Sequence, residues 1–126
     1  MSKPLLVKAL LLAATVGLTV YAQIVLKWQV MQLGTVPVEW PDRLPWGLAF
    51  VFRPFVLSCF TAGFLAFVTW TAVLREMALS RAYPFMGLSF ILVAWLSAVF
   101  FNESLSATKL IGTLLVVIGL VFASQG

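Results

Sequence analysis

The sequence predicts an all-α membrane protein with four transmembrane helices in one domain spanning residues 1–126. Three observations carry this. Hydrophobic residues make up 63% of the chain and charged residues only 10%, whereas a soluble domain is roughly half apolar and one quarter charged. The mean hydropathy is +1.09, so the surface could not be wetted as a soluble globule. The apolar residues also fall into four continuous runs, each near the ~20 residues that a helix needs to cross a bilayer. They do not alternate, which favours helices over a barrel.

Span 1 covers about residues 9–26, after Lys3 and Lys8 and before Lys27. Its apolar run is long for a signal peptide and no small-residue cleavage site follows, so it reads as a retained helix. Residues 28–54 form the one long connection. They hold Pro37, Pro41, Pro45 and Pro54 together with Trp28, Trp40 and Trp46. Proline breaks long helices and tryptophan prefers the headgroup level. This predicts an irregular interfacial loop, with a short helix around Leu48 to Phe52. Span 2 covers about 55–74 and closes at Arg75 and Glu76; span 3 covers about 82–101 and closes at Asn102 and Glu103. Pro84 falls in the first turn of span 3, where proline is tolerated. Span 4 covers about 110–124. Short connections make spans 2, 3 and 4 antiparallel neighbours.

Four spans place both termini on one side. Lys3, Lys8, Arg75 and Arg81 lie on that side, and Lys27, Arg43, Arg53 and Lys109 on the other. The balance is even, but Lys3 and Lys8 precede the first helix, which favours termini in the cytoplasm. An even balance also leaves insertion in both orientations open.

Several classes of function are excluded or disfavoured. The chain has no histidine, which removes His-based catalysis and most transition-metal sites, and its single Cys59 lies in an apolar run. No metal or cofactor is expected. The net charge of +4 is scattered around the apolar runs, reading as membrane anchoring and not as nucleic-acid binding. No acid, base and nucleophile converge, so an enzyme is not expected.

Polar residues inside the spans mark the candidate site. Thr15, Thr19, Gln23 and Lys27 recur every four residues of span 1, a slowly drifting polar stripe on one helix face. In hydrocarbon such a stripe faces protein or water. It lines a substrate path, or the threonines bond back to their own helix while Lys27 snorkels. Back-bonding is preferred for the threonines; for Gln23 and Lys27 both readings stand. Arg81 and Tyr83 precede Pro84 at the start of span 3. Arg81 anchors the helix end or binds an anionic headgroup, since guanidinium suits phosphate. On span 4, Thr108, Gly112, Gly119 and Ala123 share a face, and small residues let membrane helices approach closely. That face packs within the subunit or forms an oligomer interface.

The stretch from Ala82-Tyr83-Pro84 through Leu88-Ser89-Phe90, the Glu103-Ser104-Leu105-Ser106 run, Gly112 with Gly119, and Gln23 to Lys27 resemble the drug/metabolite transporter superfamily. The resemblance covers nearly the whole chain except the long connection, which is longer than in the shortest members. Two four-span groups are relevant. Small multidrug resistance proteins exchange cationic drugs for protons through a glutamate in the middle of the first helix. Thr19 stands at that position here, and no Asp or Glu lies within any span. The subunits that flip aminoarabinose-phosphoundecaprenol are more similar, in the Ala-Tyr-Pro pattern and in the missing glutamate. The resemblance implies a half-transporter unit in a bacterial inner membrane. Its partners would be membrane lipid, a polyprenyl-phosphate-linked sugar as substrate, and a second four-span subunit in a homodimer or heterodimer. Lys27 and Arg81 would serve as headgroup cations, with Gln23, Tyr83 and Thr19 beside them. The other readings are a small-metabolite or cationic-compound exporter and a non-transporting membrane partner protein.

Overall fold

The computed structural model describes residues 3–126, with side chains described from Leu5 onward. The described chain is helical, and four stretches are long and apolar enough to cross a membrane: Leu5–Met31, Pro54–Glu76, Leu79–Phe101 and Ala107–Gln125. They alternate in direction. Residues 32–53 therefore lie at one end of the bundle, here the loop side, and the start of the first helix and the end of the last lie at the other, here the terminus side. Ser2 and the Lys3 side chain lie outside the described residues.

Helix α1, Lys3–Met31, runs past the expected boundary at residue 26 because Lys27 to Met31 continue a helix-compatible sequence. It stops where Gly34 and Pro37 follow, both poor helix formers, and its last turn closes with Gln32 N–H donating to Gln29 O (3.1 Å) and Leu33 N–H to Val30 O (3.1 Å).

The connection is more ordered than expected. Helix α2 spans Trp40–Val51 and does not begin at Leu48. Pro41 sits at the helix start, where its fixed φ is favourable and its missing N–H costs nothing. Asp42 occupies the first turn, where a negative charge suits the helix dipole. Pro45 lies inside the helix and forfeits one bond. Arg43 ties the preceding strap to this helix. Its Nε donates to Pro37 O (2.9 Å), its Nη2 donates to Val38 O (3.3 Å), and its guanidinium lies 4.5 Å from the Trp40 ring centre.

Helix α3, Pro54–Glu76, packs antiparallel along α1. Its buried face is Val56, Cys59, Ala62, Ala66 and Val73, against Thr15, Val16 and Val20 of α1. Without a hydrophobic force between helices in lipid, close backbone approach and interhelical hydrogen bonds hold such a pair. The small side chains allow the approach. Three contacts fix the register: Thr15 Oγ1 with Thr69 Oγ1 (2.6 Å), Tyr21 Oη with Ser58 Oγ (2.9 Å), and Trp28 edge-on to Phe55 (4.8 Å between ring centres).

Span 3 is broken. A single turn α4, Leu79–Ala82, leads into a 3-10 turn, Tyr83–Met86, and then α5, Gly87–Phe101. Pro84 therefore sits one turn after the span begins at Leu79, in the first turn of the 3-10 segment and not in the first turn of the span. It cannot supply an N–H, and its ring clashes with the preceding helical turn. Ala82 is fully buried. At Gly87 an added Cβ would lie 1.8 Å from Leu120 Cδ1, so a larger residue there would push the Leu120 side chain aside.

Helix α5 ends at Asn102, whose φ of 53° is left-handed, a conformation asparagine tolerates. Four residues later Ser106 caps α6, Ala107–Gln125, by accepting from the Lys109 N–H at 3.2 Å. The Asn-Glu-Ser-Leu-Ser run is thus a stop signal and a start signal around a tight reversal. Helix α6 touches α4, the 3-10 turn and α5, but no residue of α5 or α6 is buried. Gly112, Gly119 and Ala123 are exposed. A Cβ at Gly112 or Gly119 would meet nothing within 4 Å, so these two glycines do not serve helix packing inside the subunit.

Candidate functional site

Because α6 stands away from the tight α1–α3 pair, a cavity of about 1120 Å³ opens between them, bounded by α5. It runs from Trp70 and Tyr83 at the terminus side to Glu103, Ser104 and Lys109 at the loop side. A polar track follows its walls in otherwise apolar helices: Thr15, Thr19 and Gln23 from α1, Ser89 and Ser97 from α5, and Thr113 from α6.

Local geometry sets how each group is presented. Thr19 Oγ1 donates to Thr15 O (2.7 Å), and Thr15 Oγ1 lies 2.8 Å from Leu11 O. Both hydroxyls thus bond back to their helix, and in Thr15 the oxygen also joins α3 through Thr69. Ser89 Oγ donates to Met86 O (2.5 Å). Tyr83 is edge-on to Trp70 with ring centres 6.1 Å apart, which places two aromatic faces at the terminus-side end. At the opposite end, Lys109 Nζ folds back over the tight reversal and donates to Ser104 O (3.0 Å).

Of the residues singled out from sequence, the structure brings Thr19, Gln23 and Tyr83 together on the cavity wall. Lys27 and Arg81 are exposed and do not line it. Lys27 lies one turn beyond Gln23, and Arg81 two residues before Tyr83, so each flanks a lining residue. Gly112 lines the cavity; Gly119 and Ala123 do not.

Sequence reasoning missed Trp70, Ser97, Glu103, Lys109 and Thr113. Glu103 reads as the closing residue of span 3 and Lys109 as a membrane-edge anchor. The signal for them is the short path between Asn102 and Ser106, which holds residues 103–105 over the gap between the helices they join. Among the described residues, no three His, Cys, Asp or Glu come together in a group that could hold a metal.

No family model matches, and no solved structure matches. Sequence relatives do. The chain is 34% identical over 110 residues to the probable 4-amino-4-deoxy-L-arabinose-phosphoundecaprenol flippase subunit ArnF of Pseudomonas fluorescens, covering 86% of this chain and 80% of the relative. It is 33% identical over 117 residues to the protein of the same description from Proteus mirabilis, covering 89% and 87%. With that of Erwinia tasmaniensis it shares 35% over 108 residues, covering 79% and 80%. Identity at this level over most of both chains, with four membrane-spanning helices in the same compass, establishes that the chain belongs to the ArnF family of flippase subunits.

Proposed function

We propose that this protein is one subunit of a flippase that moves a polyprenyl-phosphate-linked amino sugar across the bacterial inner membrane, as the names of its relatives describe for them. The observation that carries the reading is the polar track along a cavity of about 1120 Å³ between α1, α3, α5 and α6. A lipid-linked sugar keeps its long apolar tail in the bilayer, so the protein need only shelter a polar head. Groups that hydrogen-bond a head group at successive depths meet that need, because an unsatisfied polar group in hydrocarbon costs several kcal/mol. The work is transport and not bond-making.

The second wall of the path comes from a partner. Gly112, Gly119 and Ala123 lie exposed on α6, and a second four-span subunit, alike or similar, packs against that face. Lys27 and Arg81, flanking Gln23 and Tyr83, draw the phosphate to the two rims. Lys3 and Lys8 hold both termini in the cytoplasm, which puts the loop side outside.

Two measurements test this. Reconstituted with its co-expressed partner subunit, the protein is expected to carry a fluorescent polyprenyl-phosphate amino sugar to the far leaflet of a proteoliposome. No transfer, or proton flux driven by a quaternary amine in its place, would overturn the reading. For topology, the buried Cys59 gives a low labelling background. A cysteine at Val38, which is 87% exposed, is expected to react with an impermeant reagent in intact cells, and one at Gln125 to be shielded. Equal partial labelling of both would establish dual insertion.

A further inference from the structure

Among the described residues, the charged side chains on the cavity wall are Glu103 and Lys109, both at its loop-side mouth. They are of opposite sign, and Lys109 Nζ donates to the Ser104 carbonyl and not to the Glu103 carboxylate. The chain itself fixes their neighbourhood: the left-handed Asn102 ends α5 immediately before Glu103, and the Ser106 cap starts α6 three residues before Lys109. Six residues apart across a tight reversal, the two groups border one opening.

Resting on the flippase reading, we propose that Glu103 and Lys109 form a two-ended charged cradle that selects a zwitterionic head group, with the phosphodiester on Lys109 and the protonated sugar amine on Glu103. The physical reason is charge compensation. Both side chains are exposed, and a head group seated between them strips water from each, which is costly unless each charge is then paired. A head group carrying one anionic phosphodiester and one ammonium satisfies both side chains at once. A phosphate lipid with a neutral sugar satisfies Lys109 and leaves the Glu103 carboxylate uncompensated beside an anion, which penalises it. Bare polyprenyl phosphate is penalised in the same way. The cradle thus discriminates the aminated lipid from its unmodified carrier by an unpaired charge and not by shape, the way a polar site rejects an analogue lacking its partner group.

The test uses the full chain with its partner subunit in proteoliposomes. The probes are a polyprenyl-phosphate amino sugar and the same lipid with its amine acetylated. The wild type is expected to prefer the free amine by roughly tenfold, the factor one charge-assisted hydrogen bond supports. Glu103→Gln is expected to erase that preference while still moving both lipids. Lys109→Met is expected to slow both, and Lys109→Arg to restore them, with unchanged elution of the complex excluding misfolding. Equal transport of the two lipids by the wild type, or an undiminished preference in Glu103→Gln, would overturn the cradle and leave the flippase reading standing. Transport of neither lipid by any form would instead overturn the flippase reading itself, and the cradle with it.

Discussion

Gly112→Trp is expected to stop translocation while leaving the subunit folded. Nothing lies within 4 Å of a Cβ placed there, so the indole meets no packed neighbour at its base. Gly112 nonetheless lines the cavity, between the Lys109 rim and Thr113. A bulky ring at that depth narrows the polar track where a head group must pass. An added barrier of only about 1.4 kcal/mol slows the step about tenfold, and a steric block exceeds that. Gly119→Trp is the companion measurement. It sits two turns further along α6, with equally open surroundings but off the cavity wall. It is expected to leave passage within the subunit unobstructed and to weaken assembly with the partner. Measuring flip rate and complex mass for both variants separates the two roles of α6. Normal flipping by Gly112→Trp would show that the head group takes another route.

The second large effect is on stability, and it falls on α3. Ala62 is 5% exposed and sits in the middle of the face that meets α1. Replacing it with leucine inserts three carbons where two backbones are held close by small residues. Overpacking of this kind costs about 1–3 kcal/mol. The damage propagates, because the Thr15–Thr69 and Tyr21–Ser58 hydrogen bonds on either side need the same helix separation. Thermal unfolding in detergent is expected to fall for Ala62→Leu and to change little for Phe64→Leu, which is 66% exposed on the lipid face. An unchanged midpoint for Ala62→Leu would mean that the α1–α3 pair is not the stabilising core.

These predictions also mark where sequence and structure part. The spans themselves are legible in sequence because lipid leaves so few alternatives: continuous apolar runs must be helices, and the first three close at Lys27, at Arg75 and Glu76, and at Asn102 and Glu103. The role of α3 is not legible in that way. Val56, Cys59, Ala62, Ala66 and Val73 are simply apolar, and nothing in their types separates a helix-facing face from a lipid-facing one. The glycines of α6 carry the louder pattern, yet a Cβ at Gly112 or Gly119 would meet nothing within 4 Å, while one at Gly87 would run into the Leu120 side chain. The site divides similarly. Thr19, Gln23 and Tyr83 are conspicuous as polar groups inside or beside a span, and they do line the cavity. Glu103 and Lys109 look like ordinary boundary charges. Only the geometry of the reversal between them brings both to one opening, and that geometry rests on two capping residues, Asn102 and Ser106, whose close spacing is the one sign of it in the sequence.

The break in span 3 acts as a phase shifter. An α-helix advances 100° and 1.5 Å per residue, and a 3-10 helix 120° and 2.0 Å. Between Tyr83, whose ψ of -40° is still α-helical, and Met86 and Gly87, whose ψ values are -16° and -22°, the chain tightens toward 3-10 geometry and gains rotation and length over an α-helix. Everything after Gly87 is therefore turned relative to an unbroken helix of the same sequence. Ser89, Val93 and Ser97 meet the cavity in that rotated frame. In an unbroken span the same side chains would stand at a different angle to the cavity. One proline at position 84 thus sets the azimuth of a helix whose polar residues lie as many as thirteen positions downstream.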